Sequence, residues 1–136
     1  MKVYIATSFV QKELAQKWRD ALIKEGIEIS HDWTVVENPF SERGEVDVPE
    51  EMQREWARDD FNGACSADIV WVLAPQTGGC GCWVEMGAAM ATGRRVIVSG
   101  FRRTIFTSMV LYYETHEAAF NGIVLDRDGT IWPGDL

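Results

Sequence analysis

Two carboxylates and a glycine-rich loop are the residues of this sequence best suited to chemistry. Residues 78–87 read Gly-Gly-Cys-Gly-Cys-Trp-Val-Glu-Met-Gly, so Gly78, Gly79 and Gly81 fall within four residues and Glu85 follows. Glycines let backbone N–H groups come close to a sugar or phosphate, and a helix start favours an anion. Glu85 is expected in the first helical turn, where the helix dipole favours an ionised carboxylate. Asp60 is the second acid. Met52, Trp56 and Asp60 recur at i, i+4 and i+8, which puts a carboxylate on the apolar side of a helix. Two carboxylates, one ionised and one holding a proton, suit glycosidic chemistry: one attacks or stabilises the sugar carbon and the other manages the leaving group's proton. The same residues also read as a tight turn, a helix-stabilising acid and a solvated helix end. Spacing alone does not bring them together.

Other polar residues fall where strands end. Tyr4 lies inside the first strand, where a buried phenol needs a partner. Thr7-Ser8-Phe9 follows that strand, and His31-Asp32-Trp33 follows the second, offering a stacking ring and polar contacts or an ordinary turn. Cys65, Cys80 and Cys82 form an odd set without framework or zinc spacing, as expected of reduced cytosolic thiols. Cys82 stands near a helix start but has no obvious base to activate it. No metal site and no cofactor is expected.

The elements that must position these groups are short. Val3–Ala6, residues 27–30, 68–74 and 95–99 are compact apolar runs that read as strands. Ser8 precedes Gln11 at capping-box spacing, and Val10, Leu14, Trp18 and Leu22 then mark a helical face ending near Gly26. Residues 35–48 form a long loop, Pro49 opens a second helix, and Trp83 to Thr92 forms a third. Thr104 to Met109 reads as a brief edge strand, Glu114 to Phe120 as a last helix, and Ile123 to Trp132 as a terminal strand or hairpin around Asp128-Gly129. Strands alternating with helices predict one α/β domain over residues 1–136: a flavodoxin-like, doubly wound, five-stranded and mainly parallel sheet flanked by helices. Ligands of such sheets bind beyond the carboxyl ends of the strands at the switch point. Thr7-Ser8-Phe9, His31-Asp32-Trp33 and residues 76–85 are expected there.

Composition sets the outer limits. The chain has 136 residues, of which 46% are hydrophobic and 25% charged, so an ordinary folded domain is expected. A net charge of −8 argues against clamping a nucleic-acid polymer, which takes Lys and Arg in quantity. One loop's local potential can still hold a small anion. No window approaches the roughly 18 apolar residues of a membrane span, and the opening reads as a strand rather than a leader. A cytoplasmic protein without a membrane partner is the expectation.

Taken together, these motifs resemble the nucleoside 2-deoxyribosyltransferase family, including its relatives the 2′-deoxynucleoside 5′-monophosphate N-glycosidases. The resemblance is carried by Val3-Tyr4-Ile5-Ala6-Thr7-Ser8-Phe9, His31-Asp32-Trp33-Thr34, Asp60-Phe61-Asn62-Gly63, and Gly81 to Gly87 with the Ala88 to Val96 run that follows. It implies that Glu85 attacks the anomeric carbon to give a covalent 2-deoxyribosyl ester. Asp60 would assist protonation of the departing base, and Tyr4 would orient the nucleophile. A second base then takes the sugar in a transferase, or water takes it in a hydrolase. The expected contacts are Gly79 and Gly81 to sugar or phosphate, Phe9, Asp32 and Trp33 to the base, Thr7 and Ser8 to the substrate, and Thr77 and Ser108 to a 5′-phosphate. Partners would be a nucleoside or nucleotide, a free nucleobase, and further copies of the chain in a homodimer or higher oligomer. The acid that many transferases carry a few residues before the nucleophile is replaced here by Gly, Cys and Gln, which leaves transferase and hydrolase both open. Gly78-Gly79-Cys80-Gly81 with Glu85 is also similar to the motif of cytokinin-type phosphoribohydrolases, although Cys82 replaces their threonine. A non-catalytic nucleotide-binding sensor on the same sheet is the reading from another class.

Overall fold

A computed structural model describes the chain except residues 38, 42, 44–45, 102–103 and 128–136. Among the described residues are five strands: β1 (Lys2–Ala6), β2 (Glu28–Ile29), β3 (Ile69–Leu73), β4 (Arg95–Ser99) and β5 (Leu111–Tyr113). Four helices accompany them: α1 (Lys12–Lys24), α2 (Glu50–Ser66), α3 (Cys80–Ala91) and α4 (His116–Leu125). The sheet order is β2-β1-β3-β4-β5 and every neighbouring pair is parallel. This is the flavodoxin-like arrangement predicted above, with its switch point between β1 and β3. No helix among the described residues is long and apolar enough to cross a membrane.

The sheet centre follows from composition. Ile-Val-Trp-Val-Leu of β3 is buried at all five positions, as a central parallel strand with helices on both faces must be. Polar cross-links then fix the strand ends that carry the site. Thr7 Oγ1 donates to the Leu73 carbonyl at 2.7 Å, tying the exit of β1 to that of β3, and accepts from Gln11 Nε2. Trp33 Nε1 donates to the Ile5 carbonyl at 2.7 Å, which pins the segment after β2 to β1.

Behind the sheet, Trp18 packs on Trp71 and Phe120, with ring centroids 5.5 and 5.4 Å apart. Trp71 Nε1 donates to Ser99 Oγ at 2.8 Å, and Ser99 Oγ lies 2.7 Å from His116 Nδ1. The indole can only donate, so Ser99 accepts from it and keeps its own hydrogen and a second lone pair for its contact with His116 Nδ1. Burial, followed by the Lys17 charge, lowers the His116 pKa and favours the neutral form.

Several boundaries depart from expectation. The turn after β1 is a short 3-10 segment (Phe9–Gln11) with no Ser8 side-chain cap, and Val10 is exposed instead of joining the buried face of α1. Thr104 to Met109 is not an edge strand: Ile105–Met109 is a 3-10 turn, capped by Thr104, and the edge strand is Leu111–Tyr113. The Thr104 oxygen accepts the Phe106 N–H, so local capping wins over β propensity there. Ile123 to Leu125 continue α4, because Ala119 and Ile123 lie four apart on its buried face. The expected Asp128-Gly129 hairpin lies outside the described residues.

Ser99→Ala leaves the buried Trp71 indole N–H without an acceptor, a loss of about 1–3 kcal/mol. Urea denaturation is expected to show that decrease, and a change below about 0.5 kcal/mol would contradict the role given to this chain of hydrogen bonds.

Candidate active site

Three elements converge on Glu85. Tyr4 stands on β1 with no exposed surface, Asp60 is near the end of α2, and Glu85 lies on α3. Gly63 permits the approach of α2. A Cβ there would meet His31 Cβ at 2.5 Å and the Tyr4 ring at 3.0 Å, so any larger residue would push the helix away. Gly79 plays the matching part in the loop before α3. Its φ of +81° suits glycine, and a Cβ would collide with Pro75 at 2.5 Å. A Cβ on Gly81 would sit 4.0 Å from Glu85 Oε1, so the carboxylate lies back over the first turn of its own helix.

Glu85 differs from the expectation in place and charge. The helix begins at Cys80, which puts Glu85 in its second turn rather than its first. Burial pushes its pKa up to about 8; the nearby Tyr4 hydroxyl opposes the rise and the Asp60 charge adds to it. Desolvation therefore outweighs the helix dipole, whose effect fades after one turn. Tyr4 Oη and Glu85 Oε2 lie close enough to shift one another, yet neither makes a hydrogen bond of ordinary geometry. Both are buried with an unused valence, an arrangement costly for a merely structural pair. Tyr4 stays protonated, its pKa raised by burial and then by the Glu85 and Asp60 charges.

Asp60 Oδ1 is 3.1 Å from His31 Nε2. Burial raises the Asp60 pKa, His31 opposes the rise, and the Asp59 charge adds to it. His31 lies at the end of the sheet where the His31-Asp32-Trp33 segment is expected, but its pairing with Asp60 is not foreshadowed by spacing. The signal for His31 itself is its place just after β2, at the same end of the sheet as Thr7-Ser8-Phe9.

Beside this cluster opens a cavity of about 200 Å³, with Phe9, Trp33 and Trp56 among its walls and His31 and Asp60 also lining it. The Phe9 and Trp33 rings are 5.7 Å apart and tilted. Asp32 also borders the cavity, but both its oxygens are engaged: Oδ1 accepts from Thr34 N and Oγ1, and Oδ2 pairs with Arg19 at 2.8 Å. Burial alone would raise its pKa, but the Thr34 and Arg19 contacts outweigh that and lower it. Thr7 is committed to the strand cross-link. Ser8 is 3% exposed and its Oγ has no partner; it packs near Gly79 at the mouth of α3. Thr77 is exposed in the same loop. Ser108 donates to the Ile105 carbonyl and is not among the residues lining the cavity.

Cysteine chemistry finds no support. Cys82 is buried, its thiol donates to the Gly79 carbonyl at 2.9 Å, and burial pushes its pKa up to about 12. Among the described residues no three His, Cys, Asp or Glu groups converge as metal ligands.

By sequence, the chain matches no family model and no curated protein. By structure, it superposes on a 2-deoxyribosyltransferase from Bacillus psychrosaccharolyticus with a TM-score of 0.69 and 20% identity, over 89% of this chain and 91% of that one. The chain has the fold of a 2-deoxyribosyltransferase. It is also similar to the Clostridium botulinum CMP N-glycosidase BcmB, with a TM-score of 0.57 and 11% identity, over 92% of this chain and 99% of that one. The resemblance of the sequence motifs and the likeness of the 2-deoxyribosyltransferase fold thus point the same way.

The raised Glu85 pKa carries a stability cost of known sign. The unfolded carboxyl ionises near 4.5 and the folded one near 8. Between these values the unfolded state loses its proton first, so stability falls as pH rises. Glu85→Gln has no such titration. It is expected to be about 2–4 kcal/mol more stable than the parent at pH 8 and close to it at pH 5. Denaturation at the two pH values checks this, and an equal difference at both would contradict the burial of a titrating Glu85.

Proposed function

We propose that this chain cleaves the N-glycosidic bond of 2′-deoxyribonucleosides and transfers the sugar to another base through a covalent 2-deoxyribosyl ester on Glu85. The observation that carries the reading is the convergence of Glu85, Tyr4 and Asp60, with buried unused valences on Tyr4 Oη and Glu85 Oε2, beside an aromatic cavity. Glu85 attacks C1′ and the C1′–N bond breaks, its electron pair passing to the base. Asp60 gives that base a proton. The acceptor base then attacks C1′, the ester bond breaks back to the Glu85 carboxylate, and the acceptor's proton returns to Asp60.

Resting Glu85 holds a proton at neutral pH, whereas the attacking form needs it ionised and Asp60 protonated. Moving one proton from Glu85 to Asp60 produces that form without change in total charge. The Tyr4 hydroxyl steadies the carboxylate once the proton has left, because a phenol this buried remains a donor. His31 holds Asp60 at the wall of the cavity within which a base nitrogen would lie. The faces of Phe9 and Trp33 suit a flat ring, and Gly79 and Gly81 leave room for the sugar.

Ser8 favours a second reading. Its buried, unpartnered Oγ near Gly79 and the start of α3 suits an anionic oxygen, and hence hydrolysis of a 2′-deoxynucleoside 5′-monophosphate. Thr77 in the same loop would join it. Self-association belongs to both readings, supported by an apolar groove of about 550 Å³ between α3 and the 3-10 turn, bordered by Trp83, Met90, Phe106 and Met109.

A chromatographic assay on deoxynucleosides and their monophosphates, with and without a free acceptor base, tests the proposal. New nucleosides are expected only with acceptor, and Glu85→Ala should lower turnover at least about 10³-fold while remaining folded. Free base released only from monophosphates would establish the second reading. Near-parental turnover by folded Glu85→Ala would overturn the mechanism, and ligand binding without turnover would point to a sensor.

A further inference from the structure

The cavity beside Asp60 is asymmetric in its chemistry. Its flat walls are aromatic, but its polar edge on α2 consists of carboxylates: Glu55, Asp59 and Asp60 all border it. Glu55 and Asp59 lie four residues apart, as do Trp56 and Asp60, so adjacent rows of one helix supply a stacking surface and an acidic edge. Among the described residues neither Glu55 nor Asp59 is ion-paired, and no Lys or Arg lines the cavity. Asp32, the other acid at the rim, is fully engaged by Arg19 and Thr34. Next to this edge, the Tyr4 hydroxyl is fully buried, lacks a partner and lies within electrostatic reach of Asp60 on the cavity wall and of Glu85.

We propose that this acidic edge makes the site selective for nucleobases bearing an exocyclic amino group, so that cytosine ranks above uracil and adenine above hypoxanthine. The inference rests on the glycosyl-transfer reading and names the substrate class within it. An ionised carboxylate only accepts hydrogen bonds. An amino group meets it as a donor, whereas an oxo group in the same place opposes one lone pair with another. The edge acts again at the leaving step, since clustered negative charge favours a base departing protonated and opposes one departing as an anion. Glu55 and Asp59 are solvent-exposed, so screening holds the effect to about tenfold rather than the thousands of a dry site.

Two readouts test this. The first is kcat/KM for deoxycytidine against deoxyuridine and for deoxyadenosine against deoxyinosine, in the parent protein and in the Glu55→Gln, Asp59→Asn double variant. The second is binding of free cytosine and free uracil, followed through fluorescence of the cavity tryptophans Trp33 and Trp56. The expected result is a preference of about tenfold for the amino member of each pair, falling to about threefold or less in the double variant. A ratio near one, an inverted ratio, or a preference unchanged by the double substitution would overturn the inference. Cytosine binding preferred without turnover of any nucleoside would sink the transfer reading and leave the selectivity standing. Absence of both binding and turnover would remove the two together.

Discussion

Everything at this site depends on a carboxylic acid buried beside another. Removing Glu85 from water raises its pKa to about 8, and the Asp60 charge adds to the rise. Two such groups do not readily ionise together, so near neutrality the pair retains a proton. On the proposed function, that retained proton is what lets one acid serve as nucleophile at a carbon while the other delivers a proton to a nitrogen nearby. The arrangement destabilises the fold as pH rises. The Tyr4 hydroxyl offsets only part of that cost, since Tyr4 Oη and Glu85 Oε2 both lack partners of ordinary geometry.

The rest of the molecule holds that pair in place. β1 and β3 are paired in register and joined at their carboxyl ends through Thr7 and Leu73, which fixes Tyr4 relative to the end of β3 from which the loop to α3 departs. Gly63 lets α2 come near enough for Asp60 to reach His31, and Gly79 turns the chain tightly enough to start α3 at Cys80. Trp33, fixed to the Ile5 carbonyl, forms a cavity wall from the far side of β1. Each contact lies at the switch point of the sheet, where strand ends diverge and leave room for a ligand.

Much of this was legible in the residues. Apolar runs of four to seven residues separated by helical periodicity led to the parallel sheet, and the five buried positions of β3 were visible as an unbroken hydrophobic stretch. Asp60 was marked by its place on a helix face shared with Trp56. What escaped was set by tertiary context. The ionisation of Glu85 depends on burial, which local spacing does not encode, so its pKa rises where a helix dipole alone would lower it. His31 acquires its part only because a glycine on α2, distant in sequence, leaves space for it. Val10 fits the period of α1, but the chain makes a 3-10 turn there and the side chain faces solvent. The residues around 104–109 have strand-like composition, and a threonine cap decides their conformation.

The central claim is that Glu85 carries the sugar. Mixing the protein with a deoxynucleoside in the absence of acceptor, quenching with acid during turnover, and mapping peptides by mass spectrometry tests it directly. The account predicts a mass increase of one deoxyribosyl unit on the peptide containing Glu85, which disappears when a free base is added before the quench. Turnover without any adduct on that peptide, or with the sugar attached elsewhere, would contradict it.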